Sequence, residues 1–349
     1  MSDLFRTDGP YNIKRNGPDK FTMSISLPKD ADGMMARECP SQVCSPAYFK
    51  VKPGTGITNG QNEAFCPYCS YKDEPNNFAT KRQIDYAKEV ATREALDGID
   101  RMVKETFELG PSGERTMGGG LLSMKISYKP GSRPTIWQPF EEVLRRDLTC
   151  PKCTLDHAVF GIATWCPDCG SDIFLTHVSM EYRVVRLILG DVDNRRERLG
   201  ARVAARDIEN ALEDTVSIFE AVLRAMTRRH LKLTFSSEET EVILKKRVGN
   251  KYQSITLAGE VAQQEFGIPL FANLRTDEQE ALKLIFEKRH PITHNLGIVD
   301  RKYLEKVTSG ELEGRDVRVS SDEVSQSIEL CLKVLNDFYT KVFTSAIPL

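Results

Sequence analysis

Eight of the nine cysteines in this chain fall into four close pairs, and no other feature restricts its folding as sharply. Cys39 and Cys44 have four residues between them in CPSQVC, Cys66 and Cys69 follow after 21 intervening residues in CPYC, and CPKC and CPDCG carry Cys150, Cys153, Cys166 and Cys169. A tetrahedral metal ion needs four soft ligands about 2.3 Å away, and two Cys-X-X-Cys turns supply them. A redox dithiol needs one reactive pair rather than matched quartets. The spacing therefore predicts two structural Zn2+ ions, one on Cys39, Cys44, Cys66 and Cys69, the other on Cys150, Cys153, Cys166 and Cys169. Both coordination spheres are filled by protein, so neither ion is expected to activate water. His157 and His177 lie near the quartets but are not needed by them. Cys331, alone in the apolar run SIELCLKVLNDFY, reads as core filling.

The paired spacing favours metal only in a reducing compartment. No stretch approaches the ~20 apolar residues that span a bilayer, and the polar start carries no signal core, so a cytoplasmic protein with no membrane partner is expected. Lys and Arg number 48 against 50 Asp and Glu, so contact with nucleic acid has to come from a local patch.

The 349 residues suffice for several domains. Residues 1–20, rich in Gly and Pro, read as a loose arm; 21–79 as the first metal module, opening on the strand-like FTMSISL; 80–148 as a connecting helix and a small β segment; 149–177 as a zinc ribbon with strand-like flanks AVFGIATW and SDIFLTHV; and 178–349 as a helical domain. In the connecting helix, capped by Thr80, an apolar stripe runs through Ile84, Ala87, Ala91, Ala95, Ile99, Met102 and Phe107. The GGG at 118–120 reads as a turn, and the aromatic TIWQPF follows it. The helical half contains a long helix with Ile208, Leu212, Val216, Phe219 and Leu223 on one face, a helix starting at Thr276, and a terminal helix behind a Ser cap. The fold class is α+β and multidomain: two small zinc-ribbon β modules, each built on a cysteine quartet, followed by an all-α bundle.

Within FEKRHPITHNLGIVDRKYL, Arg289 and His294 bracket Pro291, which is expected to break the helix and gather both side chains at its end. Arg224 and His230 share a similar spacing, but a six-residue offset along one helix sends them to diverging faces. The segment RHPITHNLGIVDRKYL resembles the Arg-X(4 to 6)-His motif of the HEPN superfamily, helical-bundle ribonucleases and nucleotide-binding proteins, in the branch where Arg-His, His-Asn, Gly, Asp and Tyr recur in this order. The resemblance covers residues 180–349 and implies a HEPN-like bundle that cleaves RNA without metal, with toxin or antiphage duty. It implies His294 as general acid or base, Arg289 as the phosphate-stabilising cation, and lesser roles for Asn295 and His290. A homodimer, an RNA or other nucleic-acid partner, and a regulatory protein or antitoxin are implied with it. An acidic residue expected on an earlier helix is one of Glu209, Glu213 and Asp214, and Tyr303 is a position at which relatives accept a nucleotidyl group. The competing expectation is a bundle of the same shape that only binds nucleic acid or protein.

Overall fold

The computed structural model describes residues 4–5, 11–17, 20–118, 123–133, 135, 145–307 and 310–344. Gly119, Gly120 and the TIWQPF segment beyond Thr135 lie outside the described residues. The chain divides into two compact units, Met1–Asp172 and Ile173–Leu349. It is a mixed α and β protein in which two cysteine clusters precede a run of helices.

In the first unit, β1 (Asn12–Arg15) pairs antiparallel with β2 (Phe21–Ser24), so part of the expected loose arm is a hairpin strand. The two cysteine modules then share one sheet. Strands β3 (Met35–Glu38), β4 (Tyr48–Val51), β9 (Arg146–Thr149) and β10 (Asp156–Val159) lie in the order β3-β4-β10-β9, every neighbour antiparallel. The register places Lys50 opposite Ala158 at the centre, Ala36 beyond Lys50, and Asp147 beyond Ala158. A half-turn about that centre carries β3-β4 onto β9-β10 and Cys39 onto Cys150. Separate modules joined by a linker were expected; instead each hairpin contributes half of a single sheet. One residue on each central strand explains the fusion: Phe49 is 1 % exposed and Val159 0 %, so either hairpin alone would present apolar surface to water.

The short ladder of β5 (Ala64–Phe65) and β6 (Lys72–Asp73) brackets Cys66 and Cys69. A bridge between Trp165 and Asp172 brackets Cys166 and Cys169 in the same way. Helix α1 (Lys81–Thr106) begins at a capping box, in which Thr80 accepts from the Gln83 backbone and the Gln83 side chain accepts from the Thr80 backbone. Its buried positions are Gln83, Val90, Gly98 and Asp100, while Ile84, Ile99 and Phe107 of the expected apolar stripe are exposed. The reason is close approach on the opposite side: the Leu4 carbonyl lies where a Cβ on Gly98 would stand, and the Gln83 amide reaches the Ala36 carbonyl at 3.1 Å. A hairpin of β7 (Glu114–Met117) and β8 (Met124–Ser127) follows.

The second unit is helical, and among the described residues it has no strand. Its principal helices are α2 (Phe174–Gly190), α3 (Val192–Leu199), α4 (Ala201–Leu231), α5 (Ser237–Ile243), α6 (Ile255–Phe266), α7 (Thr276–His294), α8 (Arg301–Leu304) and α9 (Ser321–Tyr339). SDIFLTHV, expected as a strand, begins α2 instead: Ile173, Phe174, His177 and Val178 are buried, at helical rather than alternating spacing. Helix α4 packs against α2, α7 and α9. Its face of Ile208, Leu212, Val216, Phe219 and Leu223 is buried as expected. Phe219 meets Phe286 edge-on with centroids 5.3 Å apart, and Cys331 is fully buried in α9. No helix among the described residues is long and apolar enough to cross a membrane.

Candidate functional site

Each cysteine quartet converges. The ligand atoms of Cys39, Cys44, Cys66 and Cys69 lie within 4.8 Å of one another, as do those of Cys150, Cys153, Cys166 and Cys169. Sulfur pairs stand at 3.7 Å (Cys39 and Cys69), 3.5 Å (Cys44 and Cys66), 3.8 Å (Cys150 and Cys169) and 3.6 Å (Cys153 and Cys166). Four thiolates at ~2.3 Å from one tetrahedral ion have edges of about 3.8 Å, so each quartet fits a metal ion. His157 and His177 belong to neither group.

Three of the four cysteine turns are built alike. The N–H of Cys66, Cys150 and Cys166 donates to the carbonyl five residues on, at 2.8, 2.9 and 2.9 Å. The residues just after these turns, Ser70, Thr154 and Gly170, have φ of 57°, 62° and 64°. The amides of Tyr68 and Asp168 donate to the sulfurs of Cys66 and Cys166 at 3.4 Å, which favours thiolate over thiol. The longer CPSQVC turn departs from this pattern, with Cys39 donating to the Ala47 carbonyl at 3.0 Å.

The two sites also touch. Phe65, just before one CPYC turn, donates to the Pro167 carbonyl at 2.8 Å, and Trp165, just before CPDC, donates to the Pro67 carbonyl at 3.1 Å. Without a cation four thiols this close cannot all ionise. Hydrogen bonds from Cys44 and Cys66 hold Cys69 down to about 2, while hydrogen bonding to Cys44 and Cys69 drives Cys66 far above the usual thiol range. Burial pushes Cys153 up to about 12. A divalent ion eases this conflict by attracting all four thiolates at once, although it neutralises only half of their charge.

In the helical unit, α7 does not break at Pro291; it continues to His294. A proline one turn from a helix end forfeits a single backbone bond, and the end is then closed by Asn295 and Gly297, both donating to the Pro291 carbonyl at 2.9 Å. On a continuous helix, residues five apart point about 140° from one another, and Arg289 and His294 go separate ways. Arg289 donates to Gln253 at 3.0 Å, and its Nε is buried with no hydrogen-bond partner. Gln253 in turn donates to Glu220 at 2.7 Å, and Glu220 pairs with Arg224 at 3.5 Å. His294 is exposed. Its neighbour is His290, one turn earlier, with ring centroids 5.2 Å apart, and His290 Nε2 lies 3.7 Å from Asp300 Oδ2. Asn295 donates to the Ile298 carbonyl at 2.7 Å and so fixes the turn beyond the helix.

Among the three acidic candidates, Glu213 reaches this end of α7, accepting from Thr293 at 3.0 Å. Glu209 is tied to Arg202 and Arg206. Asp214 is pushed above the usual carboxylate range, first by burial and then by Glu213 and Glu181. Tyr303 is 1 % exposed and donates to Glu311, which shields the hydroxyl expected to accept a nucleotidyl group. His230 packs on the Phe266 ring at 4.6 Å, both residues being half-buried. Gln253 had no signal in the sequence, because it lies 36 positions before Arg289.

No family model matches this chain, and no curated protein or solved structure does so either.

Proposed function

We propose that the chain is a metal-independent RNA endonuclease of HEPN type, whose two cysteine quartets hold structural Zn2+. The observation that carries the reading is the imidazole pair at the open end of α7: His290 and His294 one turn apart, with Asp300 beside one of them and Glu213 held close by Thr293. Cleavage of RNA by its own 2′-hydroxyl needs one group to take that proton and another to protonate the departing 5′-oxygen, and two adjacent imidazoles suit both tasks. Asp300 orients His290, and Asn295 holds the turn that presents His294. Within one chain Arg289 turns away from His294 toward Gln253, so the cation for the phosphate at His294 comes from the second copy of the motif. The zinc-bearing unit recognises nucleic acid or a regulatory partner, a homodimer supplies a second copy of the motif, and the duty is that of a toxin or antiphage factor in the cytoplasm.

A second reading, a bundle that binds without cutting, is favoured by one contact: Arg289 is occupied by Gln253. End-labelled RNA incubated without added metal separates the two. The endonuclease reading expects fragments ending in 2′,3′-cyclic phosphate from the wild type, and a loss of about 100-fold or more in His294→Ala and His290→Ala. Retained RNA binding with no cleavage by any of the proteins would sink it in favour of the binding module.

A further inference from the structure

Beside the shared sheet, the first unit forms a half-open cavity of about 270 Å³, close to the lower size limit, ~300 Å³, of small-molecule sites. Its lining is polar and apolar in nearly equal measure, and the apolar part includes Phe49, Phe78 and Leu155. Three charged side chains line it, the half-buried Lys52, Asp168 and Arg37, and the last two differ in one respect. Asp168 is saturated: one carboxylate oxygen accepts from the Ile57 amide at 2.5 Å and the other from the Gln61 side chain. Arg37 is not. It stands on edge strand β3 directly opposite Phe49, so the two side chains share one face of the sheet. Its guanidinium donates to the Ala36 carbonyl at 3.1 Å, and no carboxylate pairs with it among the described residues. Burial lowers the Arg37 pKa, and no acidic neighbour offsets the effect.

A guanidinium drawn out of water without an anion is unfavourable, and its fork of donors matches carboxylate or phosphate. The most deeply buried cation described in this unit is matched: Lys50, at 1 % exposure, meets Asp30 at 2.9 Å. We propose that the cavity is a binding site for a small organic anion, whose charged group is held by Arg37 and whose apolar ring lies against Phe49 and Phe78. The site is independent of the helical unit's chemistry. It also draws on both metal modules, because Leu155 and Asp168 come from the second and Arg37 and Phe49 from the first. Occupancy would therefore tie the two halves of the sheet together.

The test uses the full zinc-loaded chain and two probes of the same shape, 2-naphthoate and its uncharged counterpart 2-naphthylmethanol, titrated calorimetrically. The wild type is expected to favour the carboxylate by about tenfold or more. Arg37→Met, which keeps the alkyl stem, should erase that preference without changing zinc content or the affinity for the alcohol. Thr58→Trp, on the exposed rim, should weaken both probes. An Arg37→Met protein that still prefers the carboxylate as the wild type does, or a wild type that binds neither probe at millimolar concentration, would overturn the proposal.

Discussion

The two units solve the same problem by different means. The helical unit buries an apolar stripe along one long helix: Leu212, Val216 and Phe219 of α4 are each 0 % exposed, and they meet rings and aliphatic chains from α7 and α9. Among its described residues, the first unit has strands of two to four residues and no comparable run of large apolar side chains. At the centre of its sheet sits a buried lysine, and four of its fully or nearly fully buried residues are the cysteines Cys39, Cys66, Cys150 and Cys166. Short strands of this kind rarely stand alone in water. On the proposed reading, coordinate bonds to metal replace apolar area, and the difference predicts that one half of the chain is conditional on a ligand and the other is not.

Metal removal is the harshest way to break that comparison. Binding free energies for small zinc modules are about 10–16 kcal/mol near neutral pH, so a strong chelator should unfold the β3-β4-β10-β9 sheet and leave α2, α4, α7 and α9 protected. Hydrogen exchange resolved by peptide checks it; protection lost equally from both units would contradict the contrast. Acid should act in the same direction. Metal binding requires that protons leave thiols such as Cys153, held up at about 12, so affinity falls as pH falls. The paired contacts of Phe65 with Pro167 and Trp165 with Pro67 add a sharper expectation. Cys166→Ser should lower zinc content by more than one ion per chain, because the first CPYC turn loses its support; a clean loss of one ion would show the sites to be independent.

Next in size is a cut in the apolar unit. Phe219→Ala removes a fully buried ring that packs edge-on against Phe286, and should cost about 3–5 kcal/mol. Thermal unfolding of the helical transition should shift while zinc content, measured by metal analysis, stays at the wild-type value. Zinc lost in parallel would mean that the two units do not stabilise themselves separately.

Much of this division was legible in the residues. The quartets followed from ligand chemistry, the α4 face from its period, and the caps at Thr80 and Ser320 from hydroxyls placed three residues before Gln83 and Glu323. What escaped the sequence was non-local or ambiguous. The pairing of β4 with β10 joins segments over a hundred residues apart, and nothing in YFKV or DHAV announces a partner. SDIFLTHV mixes β-branched and aromatic residues, and only burial on both sides of Phe174 decides for helix. Pro291 was expected to end a helix, yet one lost backbone bond near a terminus is tolerated when Asn295 and Gly297 close the end. The helical stripe on α1 misled because small and polar residues, Gly98 and Gln83, permit closer packing than Ile84 or Ile99.

Within the helical unit, one buried charge resembles the polar style of the first. Lys288, 5 % exposed, donates to the Arg318 carbonyl at 2.6 Å and to Glu323 at 2.7 Å, which ties α7 to the start of α9. Lys288→Met leaves a carbonyl and a carboxylate without their donor and should cost about 1–3 kcal/mol. Chemical denaturation checks it, and an unchanged midpoint would show that apolar packing alone joins the two helices.

The smallest effect expected is at the cap itself. Ser320 accepts from the Glu323 amide at 3.2 Å while Glu323 accepts from the Ser320 amide at 2.8 Å, so Ser320→Ala should lower stability by about 1 kcal/mol. Burial would raise the Glu323 pKa, but the hydrogen bonds from Lys288 and Ser320 outweigh it and leave the carboxyl below its ordinary value. A depressed pKa means that the folded state favours the ionised form: the stabilisation is complete above the ordinary glutamate range near pH 4.5 and is lost as pH falls through the lower folded value. Glu323→Gln should therefore flatten the acid limb of the stability profile of the helical unit below about pH 5, read by its helical transition after the first unit has unfolded. An acid limb as steep as that of the wild type would place the titrating carboxylate elsewhere in the bundle.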